Sequence, residues 1–226
     1  MFDGIKYFDV NKDFSPPIFA LVHRVRRLSS KNPIDKQDFE RRVTRLRTYP
    51  YEKNEGEHIR QCCSFVAEAA AFDQLYKQQF SPHWVPESSG STPDIYFQEK
   101  TRLRPVEVKY LSSPKEEQEA LIHQKTYGGF VDRDYHLGLV KKINDCTDSA
   151  EAKFTSFHNA SSDTNLKTGI LFLFFSKGLD ASLTDHVAWE EKMLERVKKI
   201  AKSKAGTNIG VVVQDLDNVF KLAPVA

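Results

Sequence analysis

The sequence predicts an α/β protein in which a mixed central sheet is flanked by helices. Three observations carry that expectation. Apolar residues recur at helical spacing from Ile18 to Tyr76. Short segments with strand-like alternation follow at Asp94–Gln98 and Pro105–Leu111. Beyond them, apolar runs at Gly169–Ser176 and Ile209–Gln214 alternate with helical stripes.

Taken in order, Ser15 before Pro16 and Pro17 signals a helix start, and Ile18, Leu21, Val22, Val25 and Leu28 share one helical face. Asn32 and Pro33 restart the pattern with Asp35 in the first turn. Phe39, Val43 and Leu46 form its stripe, and Pro50 ends it. A third helix runs from about Glu57 to Tyr76, with Ile59, Cys62, Phe65, Val66, Ala69, Phe72 and Tyr76 on its apolar face. Within it, Glu68 is set among Ala67, Ala69, Ala70 and Ala71. Pro86–Thr92 reads as a loop, and the polar Glu99–Arg104 turns a hairpin between the first two strands.

Ser112–Arg133, with Gly128 and Gly129, reads as a long loop with a helical turn around Glu117–His123. Tyr135, Leu139, Ile143, Ala150, Phe154 and Phe157 then recur at helical spacing, with a break expected at Thr147–Ser149. Gly169–Ser176 is a buried strand. Thr184 caps a helix striped by Val187, Leu194, Val197 and Ile200, acidic at its start and lysine-rich at its end. Ile209–Gln214 and Val219–Val225 are the last strands. No internal repeat marks a boundary. Residues 1–50 read as an extra N-terminal helical segment, a candidate substrate-binding extension, and 51–226 as the core.

Composition narrows the function classes. With 40% hydrophobic and 28% charged residues, the 226-residue chain is neither disordered nor collagenous. Its net charge of +2 excludes a surface that is basic throughout. Cys62 and Cys63 are adjacent and Cys146 is alone, so no disulfide framework or CxxC zinc site is expected. That usage fits a reducing compartment, and a cytoplasmic protein is expected. The longest apolar run, Ile170–Phe175, falls far short of the roughly 20 residues a membrane helix needs, so no membrane partner is expected. Residues 1–10 lack the apolar core of a signal peptide.

One stretch carries chemistry: Pro93-Asp94-Ile95-Tyr96-Phe97, a turn, then Pro105-Val106-Glu107-Val108-Lys109-Tyr110-Leu111. Side chains alternate across a strand, so Glu107 and Lys109 share one face while Val106 and Val108 share the other. In the first strand Ile95 and Phe97 face the core, which turns Asp94 the other way. A hairpin then brings Asp94 and Glu107 together with Lys109 beside them. Two close carboxylates repel unless a cation or proton joins them. A hard divalent ion binds such oxygens while keeping waters and accepting phosphate oxygens, and a neighbouring ammonium stabilises developing charge.

Pro93-Asp94, twelve intervening residues, then Glu107-Val108-Lys109 resembles the PD-(D/E)xK nuclease superfamily, with its restriction-endonuclease-like fold. The resemblance covers roughly Glu57 to Leu111. It implies a metal-dependent endonuclease acting on nucleic acid, DNA more often than RNA, with Mg²⁺ (or Mn²⁺) held by Asp94, Glu107 and the backbone carbonyl of Val108. It assigns Lys109 to the nucleophile and offers Glu68 as the acidic residue many members carry on the preceding helix. A homodimer is a state this family often uses. The Gln-xxx-Tyr motif of some branches is not matched by Gln124–Tyr127. The rival expectation is a catalytically inactive nucleic-acid-binding module that keeps the fold.

Between His23 and Arg47, nine basic residues face three acidic ones, a local +6 that leaves the rest of the chain at −4. Localised positive charge suits phosphate contact. Arg41 and Arg45 there, and Arg102 and Arg104 beside the motif, are the candidate nucleic-acid contacts; the bland alternative is a solvated arginine face. Lys125 and Lys153 are candidate phosphate contacts, with a solvated lysine the commoner reading of each. The histidines show no metal-ligand spacing.

Overall fold

The computed structural model describes residues 16–48, 55–86, 92–111, 135–160, 168–175 and 209–215, with positions 195, 198 and 199. Most of the helix expected from Thr184, the strand Val219–Val225 and the loop 112–133 with its Lys125 lie outside the described residues.

Helix α1 spans Pro16–Ser29 and α2 spans Pro33–Thr48. Asn32 caps α2: its side-chain oxygen accepts from the Ile34 N–H at 2.9 Å, and Pro33 takes the first position, where no N–H is needed. Leu21, Val22 and Val25 of α1 and Phe39, Val43 and Leu46 of α2 are buried as their spacing predicts. Helix α3, Glu55–Lys77, is buried on nearly every side from Phe65 to Phe72, so it is an internal helix rather than a surface one. Its alanines allow close approach to the sheet.

Strands β1 (Pro82–Trp84), β2 (Ile95–Glu99) and β3 (Arg102–Leu111) form an antiparallel meander. β1 escapes sequence reading because three residues carry no period, and its proline is tolerated at the first position of an edge strand. The hairpin turn is tighter than expected: Glu99 pairs with Arg102, leaving a two-residue loop with Lys100 in the left-handed region at φ 57°.

Helix α4, Tyr135–Ala160, follows, then β4 (Gly169–Phe175) and β5 (Ile209–Asp215), both parallel to β3. The break expected at Thr147 does not occur. The Thr147 hydroxyl bonds back to the Ile143 carbonyl at 2.8 Å, which satisfies it inside a continuous helix.

The five described strands lie in the order β1-β2-β3-β4-β5. One face carries Ile95, Phe97, Val106, Val108, Phe172 and Phe174, packed with α1, α2 and α3 in a single core. The other carries Leu111, Leu171 and Leu173 against Ile143, Ala150 and Phe154 of α4. β4 is apolar throughout because both its faces are covered. Glycine at 169 is required by α4, since a Cβ there would lie 2.5 Å from the Phe154 ring. Helices α1 and α2 share their core with α3 and the sheet, and Trp84 joins them by donating from its indole N–H to the Ser29 hydroxyl. Among the described residues no helix is long and apolar enough to cross a membrane.

Candidate functional site

Asp94 stands just before β2 and is fixed at three points. Its N–H donates to the Val106 carbonyl at 3.1 Å, its carbonyl accepts from Val85 N–H at 3.1 Å, and its side-chain Oδ2 accepts from Val108 N–H at 2.8 Å. The β2–β3 register, with Ile95 opposite Val106, sets Asp94 across from Glu107. Alternation puts Glu107 and Lys109 on the α4 face, while Val106 and Val108 enter the opposite core.

Glu107 is fully buried. Its Oε1 receives the Lys109 ammonium at 2.6 Å and the Lys153 ammonium at 2.7 Å. Its Oε2 has no hydrogen-bond partner among the described residues. Burial, and then the neighbouring Asp94 charge, push the Glu107 carboxyl up to about 7, against the two lysines, which lower it. Burial disfavours the charge on Lys109, but Glu107 and Asp94 outweigh it and hold its ammonium above the ordinary lysine value. Burial also pushes the Cys146 thiol up, so this neighbour from α4 stays neutral near pH 7.

Sequence reading set Lys153 among solvated side chains; the structure places it in the cluster. The signal was available. Lys153 lies three residues after Ala150 and four before Phe157, so it interrupts the apolar stripe of α4. Tyr96, on the same face of β2 as Asp94, packs against Phe157 and stacks on His83 with ring centroids 5.2 Å apart. His83 in turn donates from Nδ1 to the buried Asp35, whose other oxygen takes the Trp84 N–H.

Glu68 does not join the carboxylate pair. It is buried on α3 and bound by the Arg42 guanidinium at 2.5 Å. Arg42 lies over the Trp84 ring and comes within 3.4 Å of the Val85 and Asp94 carbonyls. Glu68 is thus linked to the Asp94 backbone through Arg42. Among the described residues no group of three or more His, Cys, Asp or Glu is arranged to hold a metal. Asp94 and Glu107 are a pair, with the Val108 carbonyl in the chain beside them.

Arg102 and Arg104 were expected beside the site because they are near it in sequence. Alternation along β3 sets them instead on the face opposite Glu107. Arg104 is bound to Glu99 at 2.8 Å and to the Thr168 hydroxyl, and Arg102 is exposed. In the basic N-terminal segment, Arg24 pairs with Asp73 and Arg26 with Glu40, so those two and Arg42 are committed within the fold. Arg41 and Arg45 are exposed on one side of α2, with Arg41 3.1 Å from Asp38.

No family model, no curated protein and no solved structure matches this chain.

Proposed function

We propose that the chain is a Mg²⁺-dependent nuclease of the PD-(D/E)xK superfamily, with a restriction-endonuclease-like core, hydrolysing phosphodiester bonds of DNA more than of RNA. One observation carries this: a fully buried glutamate with an unpartnered oxygen lies across the hairpin from a second carboxylate, with a lysine two residues on. Natural folds pair their buried polar atoms, so an orphan oxygen among charged groups suits a ligand. The donor set fits a hard divalent ion, which takes a few carboxylate or carbonyl oxygens and keeps its waters.

Asp94, Glu107 and the Val108 carbonyl would hold Mg²⁺ or Mn²⁺, which when bound supplies charge stabilisation and polarises water. Lys109, whose side chain is 30% exposed, orients the attacking water and stabilises negative charge on the reacting phosphate. The Val108 N–H holds Asp94 Oδ2 in place. Arg41, Arg45 and Arg102, all exposed, supply backbone contacts of the kind that weaken with salt.

Plasmid DNA and single-stranded RNA incubated with the protein, with and without Mg²⁺, test this directly. Cleavage should require the ion. Asp94→Ala and Lys109→Ala should each lower it by at least about a hundredfold while the fold is retained. Full activity in either variant ends the mechanism. A second reading has its own observation, because two ammonium groups already bridge Glu107 Oε1. It is a catalytically inactive nucleic-acid-binding module, which would bind polynucleotide without turnover and without response to EDTA.

A further inference from the structure

Lys153 comes from α4, outside the hairpin that carries Asp94, Glu107 and Lys109. Its ammonium is 2.7 Å from Glu107 Oε1, and its side chain is only 19% exposed. Burying an ammonium this far is costly unless a carboxylate answers it. Helix α4 comes close enough for that contact because Ala150 is small and Gly169 leaves room for the Phe154 ring. Both lysines bind the same oxygen, so Oε2 is the atom left over.

The charges explain the arrangement. When both are ionised, Asp94 and Glu107 bring two negative charges, and Lys109 alone would leave one unbalanced. Lys153 completes the balance without any ion. Once a divalent ion is present the same ammonium is surplus, repelled by the ion and attracted by a substrate phosphate.

We propose that Lys153 is a built-in counter-cation of the carboxylate pair: it neutralises Glu107 in the metal-free protein, directs Oε2 toward the metal position, and competes electrostatically with the metal. This deepens the nuclease assignment and rests on it. Lys153 is thus a positioning residue, acting through Glu107.

The test is calorimetric titration of Mn²⁺ into the wild type, Lys153→Met and Lys153→Arg, with thermal melting of each in the absence of metal. Lys153→Met should melt lower without metal yet bind Mn²⁺ more tightly, by about tenfold or more, since a unit charge a few ångströms from a divalent ion is removed. Lys153→Arg keeps the charge and should stay close to the wild-type affinity. A purely structural lysine would lower the melting temperature and leave Mn²⁺ affinity unchanged or weaker. That result overturns the assignment while leaving the nuclease reading in place, provided the wild type binds Mn²⁺ and cleaves. A wild type that binds no Mn²⁺ overturns both. Should Lys153→Met fail to fold, Glu107→Gln and Glu107→Gln/Lys153→Met are compared. With Glu107 neutralised, the second change should add little, and a large further drop in melting temperature overturns the proposal.

Discussion

Glu68 and Glu107 are both buried carboxylates, yet they are answered in different ways. Glu68, on the side of the sheet packed by α1, α2 and α3, meets the rigid Arg42 guanidinium, itself 4% exposed and stacked on Trp84. Glu107, on the side covered by α4, meets two flexible ammonium groups, 30% and 19% exposed, both on one oxygen. Arg42 ties two helices to the end of a strand, which is an architectural task. The two lysines leave an oxygen over and are more exposed than Arg42, an arrangement that suits the proposed cation site. Burial alone therefore does not separate the two carboxylates; the completeness of their partners does.

The contrast is tested most severely by removing one partner from each side. Arg42→Ala takes the guanidinium away from buried Glu68 and should cost about 3–5 kcal/mol in a denaturant melt. Glu107→Gln also leaves two ammonium groups without their carboxylate, but these side chains are 30% and 19% exposed rather than 4%, so it should cost less than Arg42→Ala, while abolishing cleavage. Equal losses would erase the distinction between the two glutamates.

Next in size is the packing of the helical layers. Helix α3 comes close to the sheet through its own alanines, whereas α4 does so through a glycine on the strand. Gly169→Ala would press a methyl against the Phe154 ring, where the Cβ falls at 2.5 Å, and overpacking of this kind costs about 1–3 kcal/mol. A melt unchanged by this substitution would mean that α4 is free to shift outward, and with it Lys153.

The remaining effect is the pH dependence of the metal-free protein. Glu107 is raised from 4.5 to about 7 by burial and then by Asp94, so the folded chain holds this proton more tightly than the unfolded chain does. Its contribution to stability is present in full below 4.5 and is lost as pH rises toward 7 and through it, by at most about 1.4 kcal/mol per pH unit. Glu107→Gln should flatten the profile in that window. A slope that survives the substitution belongs to another group and would sharpen the comparison against Glu107.

Much of this was legible in the chain. Helix stripes at Leu21–Val25, Phe39–Leu46 and Phe65–Phe72 and the alternation of β2 and β3 follow from periodicity, because each element buries one face or, in α3, nearly all of itself. Opposed valines and the Glu107–Lys109 pair could be assigned to faces for the same reason. β1 was not legible, since its identity comes from pairing with Phe97, Tyr96 and Ile95 rather than from any pattern of its own. Nor was the continuity of α4 across Thr147, which rests on one hydroxyl turning inward.

By itself the sequence determined which side chains share a strand face and which helices are amphipathic, because these depend only on local spacing. The tertiary structure alone decided the partners of each charge. Arg42 was one of nine basic residues in a charged segment and proved to be a buried tie, Lys153 read as solvated and proved to be a ligand of Glu107, and Arg104 lay near the motif in sequence but on the other face of its strand. The Arg42–Glu68 and Lys153–Glu107 pairs join elements far apart in the chain, so local spacing does not name the partner.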